Sequence, residues 1–145
     1  MGVIIMATVI RPEISEKNKY YIDKHRYYEL KHFCLQYKEW KKIYKSCNEA
    51  IIFTSSLERN PSTNNTPSDL TAKYAMKKAY YGGRIKLIER AAMEADEFLY
   101  SYILKAVTEG LSYTHLKTTL DIPCGKDMYY DRYRRFFWLL SEARG

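Results

Sequence analysis

Apolar positions recur at alternating steps of three and four along most of the chain, the period of a helix buried on one side. Leu30, Phe33, Tyr37, Trp40, Tyr44 and Cys47 form one such stripe and predict a helix over about 23–49, with Asp23 as its N-cap or first-turn acid. Tyr74, Tyr81, Ile85, Ile88, Ala92, Ala95, Leu99, Tyr102 and Ala106 form a second, heptad-like stripe that runs from Ser68 or Asp69 to Gly110. A continuous helix of that length spans roughly 60 Å. Gly82-Gly83 is its weak point and predicts a break into 70–81 and 84–109, or a close approach of another helix. Gly110 is placed as a C-cap glycine.

Between the stripes, residues 54–69 (TSSLERNPSTNNTPSD) have loop composition. The two striped segments are therefore expected to pack antiparallel as a long helical hairpin. A single hairpin leaves part of each stripe exposed, which points to a homodimer; cover from the C-terminal helices is the alternative. The chain is read as all-α, with an N-terminal arm over 1–22, a hairpin and oligomerisation region over 23–110, and a separate C-terminal unit over 111–145.

The C-terminal unit reads SYTHLKTTLDIPCGKDMYYDRYRRFFWLLSEARG. Tyr113, Leu116 and Leu120 share the inner face of a short helix. Pro123 disfavours helix at the residue before it, and Gly125 eases the turn. A second helix from about Lys126 carries a core stripe of Met128 or Tyr129, then Tyr133, Phe136, Phe137 and Leu140. Helix, tight turn, helix is the layout of a helix-turn-helix, whose second helix enters the DNA major groove. Lys126, Tyr130 and Arg134 step by four along the opposite face and are the expected DNA contacts. Arg132 and Arg135 are phosphate clamps or partners of Asp131 and Glu142. Thr114 and Lys117 on the first helix are expected to touch the backbone. Asp127 and Asp131 share that face and weaken the case, since they repel phosphate.

Charge adds a mild preference for polyanions. The chain has 24 basic and 17 acidic residues, net +7 with a pI of 9.2. Divided by sequence, residues 1–68 carry +4, 69–145 carry +3 and Ser112–Gly145 only +2. Lys31, Lys38, Lys41, Lys42 and Lys45 lie mostly off the first stripe and read as a solvated face, with phosphate binding as the alternative.

Cys34, Cys47 and Cys124 are scattered and odd in number, so they read as reduced, buried or semi-buried thiols. His25, His32 and His115 do not share metal spacing with them. Glu89, Glu94, Asp96 and Glu97 could approach one another on a helix, but a solvated face is the simpler reading. No nucleophile–base pattern, phosphate loop or HExxH appears, so neither catalysis, cofactor nor metal is expected. Asn64 begins a glycosylation sequon without a secretion signal. The apolar start, MGVIIMATVI, lacks the charged flank of a signal peptide, and Met6 is an alternative start. No apolar run approaches a membrane span, which fits a cytoplasmic protein.

The segments KHRYYELKHFCLQYKEW (24–40) and SYTHLKTTLDIPCGKDMYYDRYRRFFWLL (112–140) resemble small proteins of Gram-positive temperate phages and prophages. The C-terminal segment is similar to the sigma-factor region 4 helix-turn-helix of the ArpU/RinA-like late-operon regulators. Pro123-Cys124 departs from the small polar pair usual after the turn. The resemblance implies a duplex-DNA-binding transcriptional regulator in a bacterial cytoplasm, with RNA polymerase or another host protein as a further partner. A ring-forming small terminase subunit and an anti-CRISPR-type protein inhibitor remain as alternatives.

Overall fold

Asp23 opens the first helix as the sequence predicts: its carboxylate accepts the His25 N–H at 2.9 Å. The computed structural model, described here for residues 17–58 and 67–145, is all-α, with six helices among those residues. They are α1 (Lys24–Leu35), α2 (Tyr37–Glu58), α3 (Pro67–Ala95), α4 (Tyr100–Glu109), α5 (Tyr113–Leu120) and α6 (Lys126–Arg144). Most of the 1–22 arm with Met6, and the centre of the 54–69 loop with Asn64, lie outside the described residues. The ends of that loop are helical: α2 runs on to Glu58 and α3 starts at Pro67.

Two breaks differ from expectation. The first stripe is not one helix, because α1 ends at Gln36, whose N–H turns to the Phe33 carbonyl at 3.3 Å. The apolar spacing continues through this residue, so periodicity could not reveal the break. The second stripe does break, but at 96–99 and not at Gly82-Gly83. There the Asp96 side chain accepts the Leu99 N–H at 3.0 Å, as a helix-capping Asp does. The chain turns before α4, which ends as expected with Gly110 left-handed (φ 70°) and the Leu111 N–H on the Ala106 carbonyl.

Two compact units divide the chain: residues 17–36 with Leu87–Gly145, and Tyr37–Lys86. The C-terminal segment 111–145 therefore shares a unit with α1 and α4. The second unit is an antiparallel hairpin of α2 and the first part of α3. Thr71 bonds Thr54, Lys78 bonds Asn48, Gly82 faces the Tyr44 ring and Arg84 stacks on Trp40. Residue numbers rise on one helix as they fall on the other.

Helix α3 passes unbroken through both glycines for reasons that differ. A methyl on Gly82 would lie 3.0 Å from Tyr44 Cε2, whereas one on Gly83 would meet open space. Gly82 therefore lets the aromatic ring approach, while Gly83 only weakens the helix. Gly83→Ala is expected to stabilise the protein by about 1 kcal/mol. Gly82→Ala should gain nothing, since the ring must move. Thermal melts of the two variants check this contrast.

The first unit has its core where α1, α4 and α6 meet. Leu30, Cys34, Leu99, Ile103, Leu116, Ile122, Phe136 and Leu140 are fully buried. Aromatic side chains join α1 to α6: Tyr27 packs edge-on to Phe137 at 5.1 Å, and its hydroxyl bonds that of Tyr133 at 2.7 Å. Arg26 closes the end of α6 by bonding both the hydroxyl and carbonyl oxygens of Ser141. Arg144 lies 4.0 Å over the Phe33 ring. No helix among the described residues is long and apolar enough to cross a membrane.

Candidate nucleic-acid surfaces

Ser112 caps α5 through its side chain, which accepts the His115 N–H at 3.1 Å. The helix ends at Asp121, which adopts the left-handed region (φ 51°). Ile122 is fully buried, and its N–H reaches the Leu116 carbonyl at 3.1 Å. Gly125 in extended backbone leads into α6. The helix boundaries thus match the spacing seen in the sequence, and Tyr129 rather than Met128 takes the first core position: Tyr129 is buried and Met128 exposed.

The surroundings of α6 limit what it can present. Its sides meet α1 through Tyr133 and Phe137, α5 through Tyr129 and Tyr130, and the 96–99 turn through Arg132. Before Ser141 only Lys126, Asp127 and Met128, its first turn, are exposed. Of the expected contacts, Thr114, Lys117 and Lys126 are exposed, while Tyr130, Arg134 and Arg135 are half-buried. Lys117 Nζ is tied to the Ile122 carbonyl at 3.3 Å. Lys126 Nζ lies 5.9 Å from the Tyr130 ring, which itself packs on Tyr113 and Tyr129. Arg134 follows Lys126 by two turns on the same side, roughly 12 Å along the axis.

Asp131 does not stand free beside that face. Arg132 bonds both Asp131 and Asp96, the latter at 2.9 Å, and thereby ties α6 to the 96–99 turn. Asp96 also belongs to this turn, not to a solvated acidic face. Burial works to raise its pKa, but the Leu99 N–H and the Arg132 guanidinium outweigh it and hold the carboxyl below its usual value. A depressed carboxyl stabilises the fold above its unfolded pKa of about 3.9, and that contribution is lost as pH falls through the folded value. Asp96→Asn should cost about 1–2 kcal/mol at pH 7. The difference from the parent protein should close as pH falls through the depressed folded value, which urea titrations across pH measure directly.

The strongest concentration of charge lies elsewhere. Tyr37–Lys86 holds ten basic and four acidic residues, so this one hairpin carries +6 of the net +7. Sequence halves hide this, because the unit straddles their border. On α2, Lys38, Lys41, Lys42 and Lys45 are all exposed. Their spacing of i, i+3, i+4 and i+7 puts them on one helix face, a ridge about 10 Å long. Glu49 follows one turn further on. On α3, Lys73 and Lys77 are exposed, and Arg84 stacks on Tyr80 and Trp40. The lysine spacing was visible in the sequence, but nothing there distinguished it from an ordinary solvated face.

In comparison with known proteins, no family model, curated protein or solved structure matches this chain.

Proposed function

We propose that this is a double-stranded-DNA-binding protein, a phage-type transcriptional regulator, in which the α2–α3 hairpin supplies the main phosphate-binding surface. The concentration of +6 on that hairpin is the observation that carries the reading. Phosphate contacts supply much of the affinity of DNA-binding proteins, and four lysines on one helix face give a continuous ridge of cations to meet them. The α5–α6 segment, read as a helix-turn-helix, contributes Lys126 at the exposed start of its second helix. Thr114 and Arg134 are its further candidates. Lys117, Tyr130 and Arg135 are secondary in this reading.

Duplex binding measured by fluorescence anisotropy at several salt concentrations tests it. Affinity should fall steeply with salt, and the hairpin lysines should account for more of the slope than Lys126, Arg134 and Arg135 together. Binding without salt dependence sinks the proposal.

A second reading has its own observation. Ile52, Phe53, Leu57, Leu70 and Met76 on the hairpin are large, apolar and exposed. Such a set suits a protein partner: a second copy of this chain, or a host protein such as RNA polymerase. Native mass measurement separates the outcomes, with a homodimer favouring the regulator and a closed ring favouring a packaging subunit.

A further inference from the structure

The first unit contains a cavity of about 160 Å³, walled by α1, by α4 with the turn after it, and by α6. That volume is close to the roughly 150 Å³ that accommodates one benzene ring in an apolar core. Tyr27, Tyr129, Tyr133 and Phe137 contribute aromatic rings to the wall, Val107 an aliphatic side, and Lys31 a cation. Most tyrosine hydroxyls in this cluster already have partners. Tyr27 and Tyr133 bond each other at 2.7 Å, and Tyr113 donates to the Cys124 carbonyl at 2.8 Å.

Tyr129 is the buried exception. It is 1% exposed, and its hydroxyl has no hydrogen-bond partner among the described residues. An unmet buried donor costs stability. Phenylalanine would fill the same volume without that cost, as Phe136 and Phe137 do further along α6. Lys31 likewise has no ion-pair or hydrogen-bond partner among the described residues, and it is half-buried. An orphaned donor, a half-buried ammonium and aromatic walls around a one-ring volume converge on one ligand chemistry.

We infer that this cavity binds a small single-ring aromatic carboxylate. The ring packs among the tyrosines, the carboxylate pairs with Lys31, and the Tyr129 hydroxyl donates to it. The lining residues belong to the first unit and the hairpin lysines to the second, and the inference stands whether or not the hairpin binds DNA.

Isothermal titration of the full chain with benzoate, against neutral benzamide as control, tests the assignment. Benzoate should bind at a one-to-one ratio and at least tenfold more tightly than benzamide. Lys31→Met should abolish that preference. Leu35→Trp should block entry; Leu35 is a partly exposed lining residue, so the larger side chain risks little of the fold. Tyr129→Phe should raise the melting temperature by roughly 3 °C while weakening benzoate about tenfold. Three results would overturn the inference: no saturable benzoate binding, binding unchanged in both Lys31→Met and Leu35→Trp, or a Tyr129→Phe protein that is stabilised with undiminished affinity.

Discussion

Phe137→Ala is expected to destabilise the protein by about 4 kcal/mol, enough to remove a large part of the 5–15 kcal/mol typical of a folded domain. Phe137 is 1% exposed and sits where α1 and α6 join. Its ring lies 5.1 Å from Tyr27, 4.9 Å from Tyr133 and 4.9 Å from Phe136. Truncation removes the apolar area of the ring and the edge-on contacts of three aromatic neighbours, and leaves a hole beside the existing cavity. Large flat rings cannot collapse into such a space without leaving their rotamers, so little of the loss is recovered. The midpoint of thermal unfolding should fall by roughly 10 °C or more. Phe98→Ala is the matched control: Phe98 is 72% exposed, and its loss should stay within about 0.5 kcal/mol. Equal effects at the two positions would contradict the assignment of the core.

Replacing Lys38, Lys41, Lys42 and Lys45 together by glutamine should give the largest change in DNA binding. Glutamine keeps nearly the helix propensity of lysine, so α2 should remain intact by circular dichroism. Each phosphate contact contributes about 0.9 to the slope of log affinity against log salt, so four contacts contribute about 3.6. Between 50 and 200 mM salt that share of the slope corresponds to roughly a hundredfold in affinity. The variant should lose most of this salt sensitivity along with its low-salt affinity. Changing Lys126, Arg134 and Arg135 should have less effect on the slope, because two of the three are half-buried. The opposite ranking would return the phosphate surface to α6 and overturn the role given to the hairpin.

Helical class, the α5–turn–α6 boundaries and the caps at Asp23 and Gly110 were legible because each rests on local chemistry. A capping side chain or an αL glycine acts within one turn of its own position. The break at Gln36 was hidden because the apolar period runs through it. Gly82-Gly83 misled for a related reason: propensity disfavours glycine, but the Tyr44 ring occupies the space that Gly82 leaves. Propensity yields to packing in such a place. Asp96 carried a readable signal, an Asp three residues before Leu99, yet the neighbouring acids made it look like part of a solvated face.

The candidate surfaces were partly legible. The sequence supplied the helix-period spacing of the four lysines and the stepping of Lys126, Tyr130 and Arg134. It could not supply the assignment of α2 to a unit with its own charge balance. Nor could it supply the burial of α6 on several sides, since that depends on α1, more than a hundred positions away. The Tyr129 cavity was illegible for the same reason: its walls come from segments that no sequence window contains together.

The chain path through the two units has a consequence for the order of folding. The hairpin Tyr37–Lys86 interrupts the first unit in sequence, so the contacts that hold α1 to α6 join residues 106 and 115 positions apart. Contacts of the hairpin join residues only 17 and 30 apart. Closing a short loop costs less entropy and takes less time than closing a long one. The hairpin is therefore the natural first product of the unfolded chain. Once formed, it holds α2 against α3 and shortens the search by which α1 finds α6.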